Sequence, residues 1–552
     1  MSPRPGEPYT TLEGDDDAAV IETSEEKGDS GSLTVEEMVN TTIGANSSKA
    51  SVWIFISLYL LGQLARVAGP ALALIPIFTG FLNYEDWECT SGKCVELMNN
   101  FTGEPKTFFS RATICDNSLE PNVDFNWNTE RTSYAIEWGL ICSDENKDSN
   151  IKSFFFLGAF MGLLTGGALF DRIGRKTTCL VGIGVTSVSC LAVFFVNSYE
   201  IMLILRVVHG FGAFIVVEGV DLLAVEFTPS DLRNLSQILS NCLWSLGSFL
   251  IIGISYSMRD WHHIYLVLGL VFAVTAVAVF IYPESPRFHL VKGREKEARV
   301  TFKKLSKIFN TKEISDDTKL TYQDYDKNIL GQIKDFIKYP VMLKNTAILL
   351  VCWAAISCVY YGLNFSWGKL GADIYSSILF ASLGGLISDV SGMNYFIIHF
   401  FGRKKAVVIC FAGIAALFFI SIPSYGVHLA GGWNLDHVVC LLASLFIGGG
   451  WGSVILLTKE LSPTSHRGMI FCMGSASARV GAFIGPKMTL LYNTINARIV
   501  LAIFGGIASF AAFLAYFNSD STNKPIPSTP EDLVQLRSDT GHRKLGEGDI
   551  EL

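Results

Sequence analysis

Charge is scarce in this chain. Asp, Glu, Lys and Arg make up 17% of its 552 residues, against 50% hydrophobic. The charges crowd into tails and loops, which leaves apolar runs of about 20 residues between them, the length that crosses a bilayer core as a helix. A soluble globule would alternate polar and apolar faces instead, so that class is excluded. Three chemical signatures are also lacking: a Cys-x-x-Cys pair, a phosphate-binding Gly-x-x-x-x-Gly-Lys loop ending in Ser or Thr, and His-Glu-x-x-His. Their absence removes the common zinc, nucleotide and metalloprotease patterns. The chain therefore reads as a non-enzyme with no catalytic residue, no metal and no cofactor, and with no nucleic-acid partner. No cleavable signal peptide is visible at the start.

What is present is an all-α membrane protein. Residues 1–50 are polar and acidic and read as a disordered cytoplasmic tail. A first span covers about 52–81, interrupted by Arg66. A polar loop at 83–150 follows, then spans near 151–170, 177–197, 199–222, 236–256 and 262–282. These make a first half at 51–288. A Lys-rich central loop at 289–341 carries short amphipathic helices. The second half, 342–518, has spans near 342–362, 373–398, 405–424, 437–458, 469–493 and 497–517, and a cytoplasmic tail closes the chain at 519–552. The 83–150 loop holds Cys89, Cys94, Cys115 and Cys142, and the sequon Asn100-Phe-Thr102. Four cysteines gathered in one loop are expected to form two disulfides in an oxidising space, with three pairings open, and Asn100 is expected to carry a glycan.

Residues 167–176, Gly-Ala-Leu-Phe-Asp-Arg-Ile-Gly-Arg-Lys, separate two apolar runs. Gly174 gives the backbone freedom for a tight reversal. Arg172, Arg175 and Lys176 mark the loop as cytoplasmic by the excess of cations there. The two halves echo one another: Gly174-Arg175-Lys176 recurs as Gly402-Arg403-Lys404, and Glu226-Phe-Thr-Pro229-Ser-Asp-Leu-Arg233 recurs as Glu460-Leu-Ser-Pro463-Thr-Ser-His-Arg467. A repeat at nearly constant offset implies two parallel six-helix halves, twelve helices in all, with a ligand site between them at the midplane.

The pattern Gly-x-x-x-Asp171-Arg172-x-Gly174-Arg175-Lys176 resembles the signature loop of major facilitator transporters. Further stretches resemble the organic ion transporter family, whose members move organic anions, cations and carnitine-like zwitterions. They are Glu137-Trp-Gly-Leu-Ile-Cys142, Tyr256-Ser-Met-Arg-Asp-Trp261, Pro283-Glu-Ser-Pro-Arg287, Tyr360-Tyr361-Gly-Leu363 and Ala478-Arg479-Val-Gly481. The resemblance implies a plasma-membrane, multi-pass monomer with both termini cytoplasmic, working by alternating access on a small organic ion, with a counter-ion or coupled ion and the bilayer as its other partners. The chain departs from the pattern at three places. His399 stands where the second half would repeat Asp171, the Pro-Glu-Thr ending after the last span is missing, and Ser391, with Asp389 two residues before it, stands where related anion carriers place a cation.

A charge near the bilayer centre costs on the order of 3 kcal/mol, so buried charges are functional or paired. Arg479 lies well inside the eleventh span and, by resemblance, where anion carriers hold a substrate-recognising Arg. It can clasp a carboxylate through two parallel hydrogen bonds, or it can pair structurally with Asp389, Glu218 or Asp221. Trp244, Tyr360, Tyr361 and Trp451 would form an aromatic cage around a flat or cationic ligand, or they simply pack. Glu218 and Asp221, three apart on one helical face, form a proton or cation site or neutralise Arg66. Asp171, Arg172, Gly174, Arg175, Glu226, Glu284, Arg287, Glu460 and Arg467 sit at cytoplasmic helix ends and are expected to gate the rocking of the halves. An organic anion carrier using Arg479 is the first choice. A cation or zwitterion carrier using Asp389, Glu218 and the cage is the alternative, and a non-transporting receptor or scaffold of the same shape is the third.

Overall fold

The computed structural model describes residues 32–41, 132–140, 144–229, 232–309, 329–366, 374–390, 393–424, 435–463, 466–488 and 497–522, with shorter pieces between them. In the first half, α1 (Glu145–Ile173), α2 (Arg175–Val193), α3 (Tyr199–Glu226), α4 (Arg233–Ser257) and α5 (Trp261–Ile281) run up and down in turn. The amphipathic α6 (Glu295–Phe309) lies between the halves in sequence. The second half contains α7 (Pro340–Ser366), α8 (Ile374–Val390), α9 (Met393–Phe401), α10 (Arg403–Ser424), α11 (Leu435–Leu461), α12 (Arg467–Met488) and α13 (Ala497–Tyr516). Among the described residues ten helices are long and apolar enough to span a membrane. Of the first expected span, the described part includes the 3-10 turn Leu64–Val67, which carries Arg66.

The span expected at about 373–398 is helical where it is described, in α8 and α9, and residues 391 and 392 lie outside the described residues. One expectation changes. The tail expected to be disordered over 1–50 contains an ordered piece: β1 (Ser32–Thr34) pairs in parallel with β4 (Lys319–Thr321) of the central loop. Met38 and Val39 follow it into a cluster with Phe227, Tyr282, Phe302 and Phe309, so burial of two side chains offsets the ordering entropy there. The other described strands, β2 (Trp87–Cys89) and β3 (Phe125–Trp127), pair antiparallel in the long loop.

Each reversal has a local cause. Gly174 joins α1 to α2 with φ of 102°, and Gly402 joins α9 to α10 with φ of 81°; side chains with a Cβ rarely adopt that region. Ser198 caps α3 by accepting from the Ile201 N–H at 3.3 Å, and Asp260 caps α5 by accepting from the His262 N–H at 2.9 Å.

The helices pack through small residues. A Cβ added at Gly210 of α3 would lie 1.8 Å from the Phe155 carbonyl oxygen of α1, and one at Gly481 of α12 would lie 2.0 Å from the Ala354 carbonyl oxygen of α7. Neither helix pair could approach so closely with any side chain at these points. Gly210→Ala is therefore expected to destabilise the first half by roughly 1–3 kcal/mol through overpacking, seen as lost surface protein and a lower Tm of the purified protein. A variant with normal surface level and Tm would contradict this packing.

The halves meet chiefly along α1 and α12. Ser153 Oγ donates to the Phe483 carbonyl at 2.9 Å and Ser149 Oγ to the Pro486 carbonyl at 3.1 Å. These contacts lie at the end of the bundle opposite the Gly174 and Gly402 reversals. Those reversals mark the loop face of the bundle.

Candidate functional site

Five ionisable side chains from the 3-10 turn and three helices gather between the halves. Arg66 pairs with Asp221 of α3, whose carboxylate also accepts from Ser240 Oγ at 2.8 Å. Arg479 of α12, 8% exposed, reaches Glu218 of α3 with Nη2 3.6 Å from Oε1. Ser475 Oγ donates to the same Glu218 oxygen at 3.3 Å, and the Arg479 guanidinium lies 3.9 Å from the Phe214 ring centroid. Arg66 feels the charges of Glu218, Asp389 and Arg479 together. The cluster thus contains two cations and three carboxylates.

The open alternatives separate here. Asp221 neutralises Arg66, while Glu218, three residues away, turns to Arg479. Of the three acids considered as partners for Arg479, the one in contact is Glu218. The pair joins α3 of the first half to α12 of the second. Taking one partner from such a buried pair typically costs about 3–5 kcal/mol, because the other charge is left uncompensated. Besides Arg66, whose Nε is buried without a hydrogen-bond partner among the described residues, two groups stay incompletely satisfied. Asp389 has no ion pair among the described residues, and its hydrogen-bond partner is Asn241 of α4, donating at 3.3 Å. Arg479 Nε is buried without a hydrogen-bond partner.

The expected aromatic group divides. Trp244 Nε1 donates to the Tyr360 hydroxyl at 3.4 Å across the halves, so these two form one wall beside Asp389. Tyr361 is buried between Tyr360 at 4.8 Å and Phe156 at 4.4 Å, centroid to centroid, and interacts with Arg479. Trp451 turns away to stack edge-on against Trp353 at 5.5 Å in the second half. Sequence reasoning missed Asn241, Ser240 and Phe214. A polar residue inside an apolar span was a signal for the first two; Phe214 carried none.

At the loop face the repeated motifs meet within each half. Arg175 Nε lies 3.4 Å from Glu226, and Arg403 Nε lies 2.5 Å from Glu460, so the two repeated stretches are partners twice over. Glu284 Oε1 accepts from the backbone N–H groups of Arg175 at 3.0 Å and Lys176 at 3.1 Å, placing a negative charge on the start of α2. In the second half the Arg403 N–H donates instead to Thr522 Oγ1 at 3.1 Å, and Ser521 Oγ donates to Glu460 at 2.7 Å. The tail hydroxyls thus stand where a Pro-Glu-Thr carboxylate was missing. Asp171 is 59% exposed and reaches Arg175 at 3.4 Å. Arg172 and Arg287 point to the exposed surface, the latter acting on Glu226 electrostatically. Arg467 Nε donates to the Lys459 carbonyl at 2.9 Å, closing the end of α11. Each of these contacts of the gating candidates joins residues of the same half.

At the opposite face two other motif stretches touch. Trp261 Nε1 donates to Glu137 Oε2 at 2.9 Å, and the Trp138 and Trp261 rings meet edge-on at 5.4 Å. Burial pushes the Asp260 carboxyl up, but hydrogen bonds from the His262 N–H and ring outweigh it and hold the group below its ordinary value. Cys89 lies in β2; Asn100, Cys94, Cys115, Cys142 and Ser391 lie outside the described residues.

The comparisons agree with this architecture. The family model described as "Sugar (and other) transporter" matches residues 115–523. The organic cation/carnitine transporter 2 of Mus musculus is 26% identical over 431 residues, covering 75% of this chain and 76% of the relative. The organic anion transporter 3 of Sus scrofa is 26% identical over 417 residues, covering 73% and 74%. The organic cation transporter protein of Drosophila melanogaster is 27% identical over 445 residues, covering 77% and 79%. Among solved structures, the inward-open xylose transporter XylE from E. coli superposes with a TM-score of 0.59 at 14% identity, covering 87% of this chain and 99% of that one. A match spanning most of the chain, on a bundle that superposes on a major facilitator protein, places this chain in the sugar (and other) transporter family, as a membrane transporter of the major facilitator fold.

Proposed function

We propose that the carried ion bears a cationic centre, and that carnitine-like zwitterions with both charges fit the cluster best. The observation that carries this reading is two incompletely satisfied groups of opposite charge, Asp389 and Arg479, that both act on Arg66. Among the described residues Asp389 has no ion pair, and Arg479 keeps a buried Nε without a hydrogen-bond partner. A substrate cation would sit against Asp389 and the Trp244–Tyr360 wall. A substrate carboxylate would take Arg479 in two-pronged fashion and displace Glu218. The first choice of an anion carrier rested on Arg479 alone; with Glu218 against that guanidinium, the cluster is net acidic, which supports the cationic alternative. The names of the relatives span both classes.

Displacing Glu218 would break the α3–α12 pair that ties the halves together. Occupancy then weakens the contact that opposes rocking, which links binding to alternating access. The loop-face networks would hold each half rigid as it moves, since their pairs are internal to a half. The loop face, rich in Arg and Lys, is cytoplasmic in this reading, and so are both termini; the membrane is the plasma membrane.

The test is a competition panel on one purified sample in proteoliposomes. Carnitine-like zwitterions and quaternary ammonium ions should compete for one saturable uptake, with monoanions at least 10-fold weaker. Monoanions competing best, with quaternary ammonium ions inert, would return the assignment to the anion class.

A further inference from the structure

A cavity of about 590 Å³ opens on the loop face between the ends of α2 and α5 and the helix α6. Its walls belong to neither the charge cluster nor the contact between halves. On α6, residues 296, 300, 304 and 308 fall on one face by their spacing of four: Lys296, Val300, Lys304 and Ile308, all exposed and all lining the cavity. The opposite face, Ala298, Phe302, Leu305 and Phe309, is buried against the ends of α3 and α5. Across the cavity stand Phe280 and Ile281 at the end of α5, both exposed, where a spanning helix leaves the hydrocarbon.

Three ammonium groups share this space. Lys176 donates to the Phe280 carbonyl at 2.6 Å and is repelled by Lys304. Lys296 and Lys304 have no hydrogen bond or ion pair among the described residues. Two carboxylates also line the cavity, but both are engaged. Glu284 takes the N–H groups at the start of α2, and Glu297 takes His289 at 3.1 Å and Arg294 at 3.8 Å. What is left over is positive charge beside exposed apolar side chains, at the level where a bilayer presents phosphate above acyl chain.

We propose that this cavity holds the headgroup of an acidic phospholipid. Its phosphate would lie between Lys296, Lys304 and Lys176, and its acyl chains along Phe280, Ile281 and Val300. The chain's own acidic segment before Ser32 is the competing occupant, since Met38 and Val39 pack in the same corner. The exposed apolar wall favours lipid, because an acidic peptide gains nothing from Phe280 and Ile281.

Native mass spectrometry of the purified full chain, titrated with phosphatidylserine, tests this. One phosphatidylserine should bind well before phosphatidylcholine does. Lys296→Gln with Lys304→Gln should weaken it at least 10-fold. Lys292→Gln with Lys307→Gln, the same charge change off the cavity, should leave it unaltered. Equal loss in both double variants, or in neither, would overturn the site. Displacement by glycerol phosphate at concentrations matching the lipid's would reassign it to a soluble phosphate. Phosphatidylserine binding that appears only after residues 2–31 are removed would give the cavity to the tail.

Discussion

Arg479→Ala should lower the affinity for a carboxylate-bearing substrate about 10- to 150-fold, the worth of a charge-assisted pair at 1.5–3 kcal/mol. Arg479→Lys should recover only part of this, since an ammonium cannot reproduce the two-pronged geometry. The structure adds a sharper expectation for its partner. In the proposed site Glu218, whose Oε1 lies 3.6 Å from Arg479 Nη2, would compete with the substrate for that guanidinium. Glu218→Gln should therefore tighten binding of the carboxylate end and let the empty carrier rock more readily, because the contact between α3 and α12 that opposes rocking is weakened. A purely structural pair behaves otherwise. Both single variants would then lose surface protein without changing the preference between a carboxylate substrate and its ester, and Glu218→Arg with Arg479→Glu would restore it. Surface level, Kd and uptake measured on all four variants separate the two, and normal surface level with unchanged uptake in Arg479→Ala would remove this residue from the site.

The second large effect is expected at Glu284. Its carboxylate holds three backbone N–H groups, those of Arg175, Lys176 and Ser285, and sits on the positive end of α2. Glu284→Ala leaves these donors without their partner and should abolish most transport, at a stability cost of roughly 1–3 kcal/mol. Gly174→Val should be at least as damaging, since φ is 102° and its Cβ would lie 2.4 Å from Glu284 Oε2. Asp171→Asn should be mild by comparison: an exposed pair is worth under about 1 kcal/mol. Uptake corrected for surface level would show the ranking, and an Asp171→Asn variant more damaged than Glu284→Ala would contradict it.

The sequence made the spans, the loop reversals and the internal repeat legible because each is local. A run of apolar residues, a glycine between two runs, or a motif recurring at constant offset needs no tertiary knowledge. Arg479 was also legible, as a charge where charges are costly. Its partner was not. Glu218, Asp221 and Asp389 were equal candidates in one dimension, and the choice depends on how α3, α8 and α12 face one another. The division of the aromatic group has the same origin, since Trp451 points to Trp353 through a helix rotation that no spacing reports. Thr522 was invisible for another reason. The expectation was a carboxylate after the last span, and a hydroxyl fills the place with different chemistry. The ordered piece at Ser32–Thr34 was hidden by composition, because three residues of strand in an acidic segment make no periodic signal.

Recognition of both ends of a zwitterion by one cluster is tested most directly with matched substrates. Uptake of a carnitine-like zwitterion, its neutralised ester and its des-ammonium acid should be measured in proteoliposomes carrying the native protein, Asp389→Asn or Arg479→Gln. Asp389→Asn should remove the advantage of the quaternary ammonium, about 10-fold or more, and leave the des-ammonium acid unchanged. Arg479→Gln should remove the advantage of the carboxylate and leave the ester unchanged. If each variant instead weakens all three substrates by the same factor, the two side chains do not read separate ends of the ligand, and the account of the site is wrong.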